Sequence, residues 1–199
     1  MSCALVAVGV VMIAFGPAAP AAVNRSGIAI VRPVRLAELS AVSGAPGAFQ
    51  ATLRDAFVAA GVDVAPLGDT NKVFGSIGNE GVNRALAGGT GSRVTDPRTL
   101  RAIRVAGKQL GVAAVFLGGA ESYRYDKSTG TVNVSISGAL YDSVSGADLW
   151  VEYVSASAAS SQGPGARRAA FDAVSLDLAQ QLAAGAKGYM GGTDDGSGI

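Results

Sequence analysis

Four glutamates, Glu38, Glu80, Glu121 and Glu152, are the side chains here best suited to acid–base work. Two carboxylates facing one cleft would be the machinery of a glycosidase-type hydrolase. Their surroundings argue against it. Glu152 falls in a strand-like segment whose outward side is polar, the setting of a solvated carboxylate. Glu121 falls where an apolar strand emerges beside Tyr123, Arg124 and Tyr125, an end that serves equally as a binding surface or as a cross-strand aromatic pairing. The chain contains no histidine. That removes Ser-His-Asp triads, Cys-His dyads, His-ligated zinc and the usual general base near neutral pH. The run Gly88-Gly89-Thr90-Gly91-Ser92-Arg93 has glycines like a phosphate loop but lacks the Gly-Lys-Ser/Thr ending, so it reads as a connector. Asp194 and Asp195 are too few ligands for calcium. No catalytic, cofactor-binding or metal-binding residue is assigned, and no cofactor is expected.

Charge excludes further classes. Sixteen Lys and Arg against fifteen Asp and Glu give a net charge of +1, and no basic run exceeds Arg167-Arg168. Nucleic-acid binding has no electrostatic footprint, and there is no polybasic segment to hold a membrane surface. The one cysteine, Cys3, lies in the apolar leader, so the remainder has neither disulfides nor thiolate metal sites.

The elements that must position any site are legible as periodicities. Ser26–Val34 is a short β-rich run that Pro33 ends or places at a sheet edge. A helix follows over about Pro46–Ala60, with Phe49, Leu53, Ala56, Phe57 and Ala60 on one stripe and Gly61 as its stop. Val62–Pro66 is a second short strand, so the opening is β-α-β. Leu67–Val94, with seven glycines and no sustained period, is expected to be a long flexible loop with at most a short helix near Glu80–Ala87. Asp96 and Pro97 are the N-cap and first residue of a helix to Leu110. Its buried stripe is Leu100, Ile103, Ala106, Gly107 and Leu110, and Arg98, Arg101, Arg104 and Lys108 face out. Val112–Ala120 is a central strand. Thr131–Tyr141 alternates cleanly, with Val132, Val134, Ile136 and Leu140 inward, and Asp148–Ser157 is its partner. Trp150 is expected in the core. The connections start with Asp126 and Asp142 and end with Gly130 and Gly146, the composition of hairpin turns closed by a left-handed residue. Gly163–Ala186 is a last amphipathic helix, with Phe171, Val174, Leu178 and Leu182 inward. The fold expected is α/β (α+β): one mixed β-sheet with a βαβ start and an antiparallel meander, helices packed mainly on one face.

At the front, Ala4–Phe15 has the length of a secretory h-region, and Ala18–Ala22 supplies small residues at cleavage spacing. Twelve apolar residues are short for a membrane span. The division expected is a signal peptide or apolar segment over 1–22, a single domain over 23–187 with its loop over 67–94, and a disordered tail over 188–199.

The segment LGVAAVFLGGAESYRYD, then TVNVSISGALYDSVSGADLWVEYVSAS, then a long amphipathic helix, resembles a family of bacterial envelope proteins. That family includes the curli-secretion lipoprotein CsgG, the penicillin-binding-protein activator LpoB and the amino-terminal domain of TolB. Leu110, Gly111, Val112, Val115, Gly118, Leu140, Asp142, Gly146 and Trp150 carry the resemblance. It implies an exported protein, in the periplasm or associated with the outer membrane. It also implies a non-enzymatic role in assembly, secretion or regulation of a cell-wall synthase. The partner would be an envelope protein or a second copy, with any membrane association running through the N-terminus. Candidate partner contacts are Phe74, Ile77 and Asn79 on the loop and Tyr123 and Tyr125 at the hairpin; the competing reading is that these side chains finish the core. The alternatives are a carboxylate-based cell-wall or polysaccharide hydrolase and a small-ligand-binding periplasmic module.

Overall fold

Alternation places Ile28 and Ile30 on one side of the first strand and Ala29 and Val31 on the other, and both sides are buried. A strand with no exposed face must be covered on both sides. The computed structural model describes residues 26–32, 45–77, 96–159 and 165–190 and shows how. The elements run β1 (Ile28–Ile30), α1 (Ala45–Ala59), α2 (Leu67–Ile77), α3 (Pro97–Leu110), β2 (Ala114–Asp126), β3 (Thr131–Asp142), β4 (Asp148–Ala159) and α4 (Ala166–Met190). The sheet order is β1-β2-β3-β4, parallel between β1 and β2 and antiparallel thereafter. Val64 adds a one-residue parallel bridge to Ile28 on the outer side of β1, all that forms of the strand expected at Val62–Pro66. The fold is thus the mixed α+β sheet with a βαβ start and a meander.

The two longest helices, α1 and α4, cover one face. Phe49, Leu53 and Phe57 meet Phe171, Leu178 and Leu182 over Ile28, Ile30, Phe116, Val134, Leu140 and Trp150. The Phe116 ring sits edge-on to Phe57 at 5.4 Å and tilted to Trp150 at 6.4 Å. This close approach needs Gly138: a Cβ there would lie 2.7 Å from Leu182 Cδ2 and 3.0 Å from the Phe116 ring. On the other face α2 and α3 make a smaller core. Phe74, Ala102, Ile103 and Ala106 pack on Ala29, Val31, Val115, Leu117 and Tyr141.

The α3 boundaries are those its sequence dictates. The Asp96 carboxylate accepts from the Thr99 N–H at 3.0 Å and the Thr99 hydroxyl at 2.8 Å, Pro97 opens the helix, and Gly111 closes it at φ 68°. Residues 67–77 depart from expectation. They are helix α2, not loop. Its stripe of Thr70, Val73, Phe74 and Ile77 was hidden by glycines, of which Gly68 and Gly75 face open space and cost only propensity. The rest of that stretch, residues 78–95, lies outside the described residues, as does the apolar leader. At the other end α4 runs on through Gly188 and Tyr189 to Met190, which packs on the core, so residues 188–190 are helix and not tail. Residues 191–199 lie outside the described residues.

Candidate interaction surface

Of the five residues named as partner contacts, the four described ones do not form one surface. Phe74 is 2% exposed inside the smaller core, so it is unavailable to a partner. Ile77 packs half-buried beside it. Asn79 lies outside the described residues. Tyr123 is buried and Tyr125 half-buried, because a register shift between Ala120 and Ser122 turns both rings toward α4. There the Arg167 guanidinium lies 5.1 Å from each ring centroid, and its Nε donates to the Tyr123 hydroxyl at 2.6 Å. The pair of tyrosines therefore fastens the first turn of α4 to the β2–β3 hairpin, where a cation would otherwise oppose the helix dipole. Burial, not recognition, accounts for these aromatics.

What the sheet leaves open lies elsewhere. Helices α2 and α3 stop at Val115, Leu117 and Tyr141, so the far half of the same face is uncovered among the described residues. It presents Ser122, Arg124, Asn133, Ser155 and Ser157, all exposed, with Tyr153 at 57% exposure. Across the strands the Ser122 and Ser135 hydroxyls are 3.1 Å apart, and Ser137 donates to the Gly119 carbonyl at 3.4 Å. The alternating pattern of β3 announced this polar face; Tyr153 on β4 was overlooked because a lone tyrosine between Glu152 and Val154 carries no periodicity of its own.

Strand β4 borders this face and pairs only with β3 among the described residues. Its outer edge runs twelve residues, and from Val154 to Ala159 it carries no charge and no proline. Such an edge is a template for another strand unless it is blunted. Glu152 turns from the open face toward α4, opposite Gly185, where a Cβ would collide with its carboxylate. It is half-buried against a helix, not in a cleft. Glu38 and Glu80, and the side chain of Glu121, lie outside the description. No group of three or more His, Cys, Asp or Glu that could hold a metal exists among the described residues.

Two further features were not anticipated. Gln50 is buried, donates to the Ile30 carbonyl at 2.7 Å, and pairs reciprocally with the Asn71 amide at 3.0 and 3.2 Å. This ties α1, α2 and the end of β1 together. Between α1 and α4 runs a groove of about 730 Å³ floored by Ala56, Ala60, Ala183 and Ala184, with Asp55 and Lys187 among its lining.

No family model matches the chain, and no curated protein does. Solved structures do. The Chlamydia trachomatis protein CT253 superimposes with a TM-score of 0.51 at 11% identity, over 83% of this chain and 98% of that one. Lipoprotein GNA1162 from Neisseria meningitidis gives 0.48 at 19% identity, over 77% and 98%. The PelC dodecamer from Paraburkholderia phytofirmans gives 0.49 at 15%, over 79% and 86%. The chain thus shares the fold of CT253, and at these identities the likeness is one of fold.

Proposed function

We propose that this chain is a non-enzymatic accessory protein of the bacterial envelope that acts by protein–protein contact, through self-assembly or capture of another envelope protein. The observation that carries the reading is β4: a long sheet edge, uncharged from Val154 to Ala159, beside an open polar face. Strand addition supplies main-chain hydrogen bonds for affinity, and Tyr153 with the serines of the face supplies side chains for selection. The apolar leader Ala4–Phe15 and its small-residue flank support export. The competing hydrolase reading would need a second carboxylate opposite Glu152, on the side that α4 occupies.

The test places lysines on the edge. Ser155→Lys and Ser157→Lys alter exposed side chains without touching the core. Light scattering coupled to gel filtration should show a concentration-dependent rise in mass for the wild-type chain, or a defined complex with a crosslinked envelope protein. The double variant should lose either one while keeping the same thermal unfolding. Assembly that persists unchanged in a folded double variant would refute the assignment to β4.

A further inference from the structure

We propose that the outer face of α3 binds an anionic lipid surface. It rests on the envelope reading only for the choice of a bilayer over other polyanions. The longest basic run in the sequence is two residues, but α3 gathers four cations from positions three to four apart. Arg98, Arg101, Arg104 and Lys108 are all exposed. At 100° per residue they fall within an arc of roughly 120° and span about 15 Å of helix. The helix has no acidic residue. None of the four forms an ion pair with another described residue. The nearest capping carboxylate, Asp96, is held by Thr99, and Asp142 in the adjacent turn accepts from the Val144 and Ser145 N–H groups and the Ser145 hydroxyl.

One observation selects a bilayer: apolar tips stand beside the cations. Val105 lies inside the same arc and is 37% exposed, and Val144, on the β3–β4 turn, is 65% exposed. That turn is seated on α3: a Cβ at Gly146 would lie 3.6 Å from Leu100 Cβ and 3.7 Å from Arg104 Cγ. Cations at headgroup level with apolar side chains beneath them match a lipid interface; a phosphodiester chain offers nothing to the valines.

The experiment is flotation of the full chain with vesicles of phosphatidylcholine, with and without phosphatidylglycerol. The quadruple variant Arg98→Gln, Arg101→Gln, Arg104→Gln, Lys108→Gln should match wild type on pure phosphatidylcholine, whose surface carries no net charge for the cations to meet. On phosphatidylglycerol it should partition several-hundred-fold less, about fivefold per neutralised cation. Raising salt from about 0.1 to about 1 M, which shortens screening from ~10 to ~3 Å, should bring wild type down to the variant. The charge-keeping variant Arg98→Lys, Arg101→Lys, Arg104→Lys should retain binding. Equal partition of wild type and quadruple variant on phosphatidylglycerol, or wild-type binding to double-stranded DNA without preference for phosphatidylglycerol, would overturn the proposal. The edge variants report separately: a Ser155→Lys, Ser157→Lys chain that keeps its phosphatidylglycerol preference but also keeps assembly refutes the β4 assignment alone, whereas equal partition of the α3 quadruple variant and wild type with assembly still lost on the edge variants refutes this inference alone.

Discussion

Gly107→Ala puts helix propensity and packing in direct opposition. Gly107 lies inside α3, where alanine is favoured by about 1 kcal/mol on propensity. Against this, a Cβ at Gly107 would overlap Ser143 Cβ and sit 3.2 Å from Ser143 Cα. The clashing atom is a Cβ, so no rotamer change relieves it. The Ser143 backbone cannot retreat either, since its N–H donates to the Ala113 carbonyl at 2.9 Å and its hydroxyl to the Val112 carbonyl at 2.6 Å. The helix must lift from the turn. Overpacking of this kind costs about 1–3 kcal/mol, and a lost buried hydroxyl bond about 1 kcal/mol more. The net is a destabilisation of about 1–3 kcal/mol, or roughly 5 °C in a domain of this size. Urea unfolding followed by circular dichroism would measure it. Gly75→Ala in α2 is the control: open space and an ordinary helical backbone there predict a gain of roughly 0.5–1 kcal/mol. Ser143→Gly in the Gly107→Ala background should recover part of the loss as positive coupling. A Gly107→Ala protein as stable as wild type would refute the argument that the β3–β4 turn is locked onto α3.

Arg167→Ala should cost about 1–2 kcal/mol through lost stacking on Tyr123 and Tyr125, and Arg167→Lys less, since a charge remains without the planar fork; equal unfolding midpoints for all three chains would contradict this. Asp96 is held below the usual carboxylate pKa by the Thr99 hydroxyl and then the Thr99 N–H. Its contribution is therefore complete above the ordinary carboxylate range and is lost as pH falls through the depressed value. The stability gap between wild type and Asp96→Ala should narrow on acidification, whereas Asp96→Asn, which caps without titrating, should show no such dependence; a gap constant with pH would remove the capping account.

The fold was legible where a local rule decided it. Asp96-Pro97 and Gly111 bound α3 because capping is read within four residues, and Gly130 and Gly146 close their turns at φ 69° and 76° because a left-handed residue was required there. Long-range matters were not legible. The stripe of α2 was masked by two exposed glycines, and only the presence of Ala29 and Val31 opposite it explains why it is helix. The same limit misdirected the site. Aromatic residues at a hairpin end look the same whether they await a partner or an arginine forty residues away, and the arginine was there. Conversely, four cations spread over eleven residues register as unremarkable composition until a helix turns them to one side.

The two surfaces are placed so that they do not compete. Helix α3 lies over the β1–β2 side of the sheet and against the β3–β4 turn, while β4 is the opposite edge. The strand leaves that turn at Asp148 and runs to Ala159, a rise of about 36 Å at strand geometry. The uncharged part of the edge, Val154–Ala159, is the part of the strand farthest from the turn on which α3 is seated, so a partner's strand pairs there without touching α3. The arrangement makes a vectorial prediction: lipid-bound protein should still assemble through β4, and vesicles carrying it should cluster or recruit a second copy. Assembly that ceases when phosphatidylglycerol vesicles are added would mean that the two contacts share one surface, and the separation argued from the sheet order would be wrong.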